Sequence, residues 1–489
     1  MAGLMKRIAA SVAEFGDRTA HTNGVSAMTY RELWGRANAL ANWLDKSFPD
    51  NHAPVAVHGH KEPEIAAAFI GSVLAGRAYV PLDQSLPEAR IEAIVETALP
   101  AAVLTPEEIS KLTADWESCE CRTPSDAAAD DAFYIMFTSG STGNPKGVVI
   151  THGCLEAYMD WMLVEQTFVR GAETFLNQAP FSFDISGTDL WLGLITGGTV
   201  VSITKDDVSN PAQLYAKLRK HPVTTWGSTP SFVQMCMVER SFGTEMMPHL
   251  QRFILCGETL AHKTASTMLT RFPKAEVWNT YGPTEATIAT TSVLVNEALL
   301  KEHNPLPIGR SMIGSVVSIL SPNGTNTSDG ERGEIIITGP NVSPGYLKRP
   351  DLTEKVFFTR EGQRAYKTGD RGYEKDGLIF FEGRMDFQVK LFGHRIELGD
   401  VESNIRAVPG IIDAVVLPVE RRGIVDSLAA FVVAREMPEN ETKAAKALRE
   451  TVGKTLPEYM LPRKIIFLES FPMNTNGKAD RKALAARLA

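Results

Sequence analysis

The stretch FYIMFTSGSTGNPKGVVITH, residues 133–152, decides how the rest of the chain is read. The apolar run Tyr134 to Phe137 predicts a buried strand, and Val148 to Ile150 predicts a second. Between them, Thr138-Ser139-Gly140-Ser141-Thr142-Gly143-Asn144-Pro145-Lys146-Gly147 sets four hydroxyls, three glycines and one lysine within ten residues. That mixture suits an oxyanion cradle. Glycine lets backbone N–H groups approach a phosphate, hydroxyls donate further bonds, and lysine supplies a point charge. The loop lacks the Gly-Lys-Ser/Thr ending of a nucleotide-binding P-loop, because Pro145 precedes the lysine and Gly147 follows it. It is not a dinucleotide turn either, since a strand follows where a helix should begin.

Upstream, helix and strand alternate. In MTYRELWGRANALANWL, Thr29 and Glu32 stand at capping-box spacing, and Leu33, Ala37, Leu40 and Leu44 recur at helical spacing. Val55 to Gly59 and Ala78 to Leu82 read as short buried strands flanking the apolar helix EIAAAFIGSVLAG. This βαβ unit predicts a mostly parallel sheet covered on both faces. The pattern continues to about residue 320. Beyond it, GEIIITG, LIFFEG and FQVKLFG are strands punctuated by glycine, the last running from Phe387 to Phe392. The final hundred residues read helix (GDVESNIRAV), strand (IDAVVLPV), strand (SLAAFVVA), helix (ETKAAKALRETVGKTL), strand (RKIIFLES). The expected class is therefore α/β. A large domain over residues 1–385 holds mostly parallel sheets covered by helices plus a β-rich subdomain, and a small α+β domain covers 386–489.

A chain of 489 residues has room for about three structural units. With 50 basic and 58 acidic residues the net charge is −8, a poor footprint for a nucleic-acid binder. Hydrophobic residues at 44% and charged residues at 22% are those of a globular protein, not a disordered one. No apolar run approaches the roughly 18 residues of a membrane helix, and the first residues read as an amphipathic helix rather than a signal peptide. Cys119, Cys121, Cys154, Cys236 and Cys256 are scattered and odd in number, without zinc spacing. They predict reduced thiols and a cytoplasmic protein.

TSGSTGNPKG resembles the phosphate loop of the adenylate-forming (AMP-binding) superfamily. Further motifs agree, in that superfamily's order: NTYGPTEAT at 279–287, YKTGD at 366–370, GRMDFQVKLFGHRIELGDVE at 383–402 and NTNGKADR at 474–481. The likeness spans essentially the whole chain. Within the superfamily, NQAPFSFDIS, STPSFVQMC and ILCGE look like the versions found in members that activate D-alanine and load it onto a separate phosphopantetheinylated carrier protein. The resemblance leaves open a stand-alone adenylation enzyme of the nonribosomal-peptide type for glycine, L-alanine or serine.

The implied reaction is attack of a carboxylate on the α-phosphate of ATP with Mg²⁺. The carboxylate is ionised at neutral pH, so no general base is required; the barrier is two anions meeting. The resemblance makes Lys478 the catalytic lysine bridging carboxylate and α-phosphate. It assigns Thr138, Ser139, Gly140, Ser141, Thr142, Gly143 and Lys146 to the ATP phosphates. Thr284 donates to a phosphate oxygen, Tyr281 stacks on adenine and Asn279 reads its amino group, with Thr280 and Gly282 beside them. Asp370 and Arg384 meet the ribose, and Glu285 orients Mg²⁺. Asp184, flanked by Phe181, Phe183 and Ile185, needs a cation in such apolar surroundings, and a substrate ammonium supplies one. Cys256 is implied to favour the D-enantiomer, with Thr280, Ile288 and Ala289 completing a small pocket. Thr188 and Gly227 stand where methionine and threonine are usual, which predicts room for a larger or more polar side chain. Asp386 matches the hinge between the two domains.

Overall fold

The computed structural model describes residues 3–124, 127–139, 145–421, 424–473 and 479–488. The chain divides into two compact units. One comprises Met1–Gln84, Ala98–Met136 and Gly147–Met385; the other comprises Ser85–Thr97, Phe137–Lys146 and Asp386–Ala489.

The βαβ unit forms as its pattern requires. Val55–Gly59 pairs in parallel with Tyr79–Asp83, Val55 opposite Tyr79. The connecting helix Pro63–Leu74 starts with proline at its first turn and buries every residue from Ile65 to Val73. A helix apolar all round has to be enclosed, and this one packs its Phe69 ring 4.0 Å from that of Tyr79. These strands belong to a six-stranded sheet that also holds Ala132–Thr138 and Lys146–Thr151, the strands flanking the hydroxyl-rich loop.

A nine-stranded sheet forms the other large layer. Its centre is parallel, in the order Glu276–Tyr281, Arg252–Leu255, Thr225–Ser228, Thr174–Asn177 and Thr199–Ser202. All four residues of Thr174–Asn177, Thr225–Ser228 and Arg252–Leu255 are buried, as expected of strands covered on both faces. Trp226 is fully buried and its ring lies 5.6 Å from that of Phe253. Truncating Phe253 to alanine would cost about 3–5 kcal/mol.

Local expectations change at Thr29 and at Phe387. Thr29 caps the helix Tyr30–Ser47 by accepting the Glu32 N–H at 3.2 Å, but the Glu32 carboxylate bonds Arg36 at 2.9 Å instead of returning to the Thr29 N–H. The cap is therefore half a capping box. The strand expected over Phe387 to Phe392 is one arm of a hairpin, Gln388–Leu391 against His394–Glu397. Phe392 and Gly393, at φ 52° and 80°, supply the two left-handed residues that a tight turn needs.

The β-rich region is an antiparallel sheet of Val316–Leu320, Arg332–Thr338, Gln363–Lys375, Phe357–Arg360 and Leu378–Arg384. The second unit continues from its hairpin through the helix Leu398–Arg406 to the antiparallel pair Ile411–Arg421 and Ile424–Ala434. The helix Glu441–Val452 stops at Gly453, short of the extent its periodicity predicts, and Lys464–Phe467 adds in parallel. Leu391, Ile396, Val401, Ile405 and Phe467 contribute to its own core. Among the described residues, no helix is long and apolar enough to cross a membrane.

Candidate functional site

In an open parallel sheet, ligands bind beyond the carboxyl ends of the strands, where loops diverge. Tyr281 closes the strand Glu276–Tyr281, Cys256 follows Arg252–Leu255, Gly227 lies one residue from the end of Thr225–Ser228, and the loop after Thr174–Asn177 carries Asp184. Cys256 lies one residue past its strand. Its backbone N–H donates to the Ser228 carbonyl at 3.0 Å and its thiol to the Ile288 carbonyl at 3.6 Å.

Asn279 and Thr280 are buried and committed to the backbone. The Asn279 amide donates to the Pro307 carbonyl at 2.7 Å, and the Thr280 hydroxyl to that of Leu255 at 2.9 Å. The Tyr281 hydroxyl donates to Asp370 Oδ2 at 2.5 Å, and Arg384 Nη1 donates to Asp370 Oδ1 at 2.7 Å. Strand pairing sets Asp370 opposite Arg384. Burial, reinforced by the Asp370 carboxylate, pushes the Tyr281 phenol well above its ordinary range, so it stays a neutral donor. The structure thus joins Tyr281, expected on the adenine, to Asp370 and Arg384, expected together on the ribose.

After Tyr281 the chain turns sharply. A Cβ on Gly282 would stand 2.5 Å from the Ala289 Cα, so only glycine lets the two backbones close. Thr287 and Ile288 sit at φ 55° and 68°, an uncommon region for β-branched residues that costs of order 1–3 kcal/mol each. The turn is held by Thr290 N–H to the Tyr281 carbonyl and the Thr287 hydroxyl to the Asn341 carbonyl, both at 2.7 Å. Within it, Thr284 is half-buried and Glu285 fully buried, with Glu285 Oε1 accepting from the Tyr346 hydroxyl at 2.7 Å. Among the described residues, no cluster of three or more His, Cys, Asp or Glu stands ready for a metal. One buried carboxylate fits Mg²⁺, which commonly takes one or two carboxylates and completes its shell with waters and substrate phosphates.

Asp184 is half-buried between the buried Phe181 and Ile185, with Phe183 half-buried beside it. Thr188 is buried, and its hydroxyl lies 2.8 Å from that of Tyr158. Burial pushes the Tyr158 phenol up, the Thr188 bond opposes this, and Cys256, Asp189 and Asp184 add to the rise. Gly227 corrects an expectation. A Cβ there would lie 2.8 Å from Asp189 Oδ1, which accepts the Gly227 N–H at 2.8 Å. The predicted extra room at this position is filled by the Asp189 carboxylate.

The second unit holds the remaining predicted residues. The Ser139 hydroxyl donates to the Arg395 carbonyl at 2.8 Å and accepts the Glu397 N–H at 3.2 Å. Lys146 Nζ stands 3.7 Å from Glu397 Oε1. Burial raises the Glu397 carboxyl, and Lys146 opposes that rise. Among the described residues, the Thr138 hydroxyl is buried without a hydrogen-bond partner. Asp386 accepts the Gln388 N–H at 3.0 Å where the unit resumes. Gly140, Ser141, Thr142, Gly143 and Lys478 lie outside the described residues.

Tyr158 and Tyr346 escaped the sequence reading. Both look like core aromatics in one dimension; only their hydroxyl partners, far away in sequence, distinguish them.

Residues 8–347 match the family described as AMP-binding enzyme, and residues 400–478 match the AMP-binding enzyme C-terminal domain. Similar proteins include the D-alanine–D-alanyl carrier protein ligases of Bacillus cytotoxicus and Bacillus mycoides. Each is 42% identical over 501 residues, covering 99% of this chain and 99% of the relative. Among solved structures, the Vibrio cholerae adenylation domain AlmE in complex with glycyl-adenosine-5'-phosphate superposes with a TM-score of 0.85. It is 23% identical, a likeness of fold, and the match covers 99% of this chain and 97% of that one. An NRPS protein containing adenylation and PCP domains gives 0.82 at 26% identity, covering 99% of this chain and 84% of that one. From the hydroxyl-rich loop to the final domain, the chain belongs to the AMP-binding enzyme family.

Proposed function

We propose that this protein is an ATP-dependent ligase, acting in the cytoplasm, that activates D-alanine and loads it onto a carrier protein. In the first step a D-alanine carboxylate oxygen bonds to the α-phosphorus of ATP, and the bond to pyrophosphate breaks. In the second, the thiolate of a phosphopantetheine arm bonds the acyl carbon and AMP leaves. The observation that carries the reading is Asp184, a carboxylate half-buried between buried Phe181 and Ile185 at the carboxyl edge of the sheet. A fixed anion in apolar surroundings suits a substrate ammonium.

The other assignments follow from the motifs. Asp370, held by Tyr281 and Arg384, faces the ribose, while Asn279, Thr280 and Gly282 shape the adenine side. The loop Thr138 to Gly143 with Lys146 takes the phosphates, joined by Thr284. Glu285 would hold Mg²⁺, which supplies charge neutralisation on the phosphates. Lys478 stabilises the anionic transition state, and Asp386 is the hinge. Cys256, Ile288 and Thr188 bound the side-chain pocket. A second reading, a small hydroxylated amino acid such as serine, is favoured by the hydroxyl pair of Thr188 and Tyr158.

The test is amino-acid-dependent pyrophosphate exchange with glycine and with alanine and serine of both hands. D-alanine should give the highest kcat/KM. Asp184→Ala should raise the amino-acid KM by roughly 100-fold or more and leave the ATP KM within about twofold. An unchanged amino-acid KM would remove Asp184 from the substrate site, and preference for serine would establish the second reading.

A further inference from the structure

Lys61 follows the strand Val55–Gly59 and is only 1% exposed. Burying an ammonium is costly unless its donors are satisfied and a counter-charge is near. Its Nζ donates to Asn177 Oδ1 and, at 2.5 Å, to the Ala179 carbonyl. It also stands 4.1 Å from the centre of the Phe181 ring, within cation–π range. Asn177 in turn donates through Nδ2 to the Ser186 carbonyl at 2.8 Å. The loop between Ala179 and Ser186 is therefore tied down at its start by Lys61 and at its end by the asparagine that Lys61 holds. Asp184 lies inside that loop, anchored by its carbonyl to the Gly187 N–H at 2.8 Å.

We propose that Lys61 is a positioning residue: by clamping Asn177, Ala179 and Phe181 it aims Asp184 and so sets affinity for the amino acid while leaving ATP binding alone. The inference rests on the reading of Asp184 given above. Asp189 from the helix Ser186–Thr196 and Asp83 from the strand Tyr79–Asp83 face the ammonium and favour its charge, while burial outweighs both and lowers its pKa to about 7. Asp83 is itself 2.7 Å from His60 Nδ1. His21, on the strand Thr19–Thr22, is kept neutral by burial and by Lys61, its pKa down at about 3. Raising the pH through 7 thus turns the ammonium into an amine. Two N–H bonds survive, but the attraction to the Phe181 ring is lost, and the loop loosens.

Wild-type protein and Lys61→Met are compared in two measurements. In pyrophosphate exchange with D-alanine, the variant's amino-acid KM should rise about tenfold or more, with the ATP KM within about twofold. The wild-type amino-acid KM should itself climb between about pH 6 and 8.5, a slope the variant lacks. In hydrogen–deuterium exchange of the ligand-free protein, the peptide spanning 178–186 should exchange faster in the variant. Should Lys61→Met not fold, Lys61→Gln, which keeps a neutral donor, is measured in the same way. Unchanged exchange of that peptide, a flat wild-type pH profile, or equal rises in both KM values would overturn the proposal. Absence of any amino-acid-dependent exchange in the wild type would instead sink the functional reading. The deuterium measurement would still decide whether Lys61 holds the loop.

Discussion

At the scale of single residues, the Thr188–Tyr158 pair shows how chemistry hides in a core. Tyr158 is 1% exposed, and the hydrogen bond of its hydroxyl is to Thr188 at 2.8 Å. Removing one partner of a buried pair leaves the other with the desolvation cost and no compensation. Thr188→Val, equal in volume but without the hydroxyl, should lower unfolding stability by about 1–3 kcal/mol, read as a shifted denaturant midpoint at constant slope. An unshifted midpoint would mean that water reaches the phenol. The sequence pointed to Asp184, because a carboxylate flanked by Phe181, Phe183 and Ile185 needs a cation and the resemblance supplies a substrate ammonium there. It misjudged Gly227, because the atom filling that space belongs to Asp189, 38 residues away in sequence.

At the scale of elements, the site is a product of parallel strands that all end on one edge. The turn after Glu276–Tyr281 is the least tolerant piece of it. Gly282 admits no Cβ, and two consecutive β-branched residues sit at positive φ a few positions on. Strain of this kind persists only where the surroundings over-determine it, here through Asn341 and the Tyr281 carbonyl. Gly282→Ala must push the Ala289 backbone away and shift Thr284 and Glu285. Exchange activity should fall about 100-fold or more while the far-ultraviolet circular dichroism stays native. Wild-type activity in that variant would mean that the turn has slack which the backbone distances deny. The strands and helices themselves were legible from apolar periodicity. The hairpin arm His394–Glu397 was not, because its half-polar sequence acquires strand character only opposite Gln388–Leu391.

At the scale of the whole molecule, the chain comprises two compact units, the second resuming at Asp386. The role proposed for Lys478 belongs to the first of two half-reactions, which use different nucleophiles. Lys478→Ala should reduce adenylate formation by at least about 100-fold, the usual loss when one transition-state donor is removed. Transfer from preformed adenylate to the carrier thiol should remain near the wild-type rate. Single-turnover assays of each step check this, and an equal loss in both would assign the lysine to a common role.

The sequence by itself determined the class of fold, the order of the motifs and the chemical types at the site. Hydrophobic period, glycine placement and charge are local properties that one dimension records. Only the tertiary structure decided that Asp370, Tyr281 and Arg384 form one hydrogen-bonded group and that Glu285 is fully buried beneath the Tyr346 hydroxyl. It alone showed that Lys61, an ordinary loop lysine in HGHKEP, is buried against the loop bearing Asp184. The reason is physical: whether a polar group is satisfied depends on partners that the fold brings from distant segments, and no local pattern encodes that pairing.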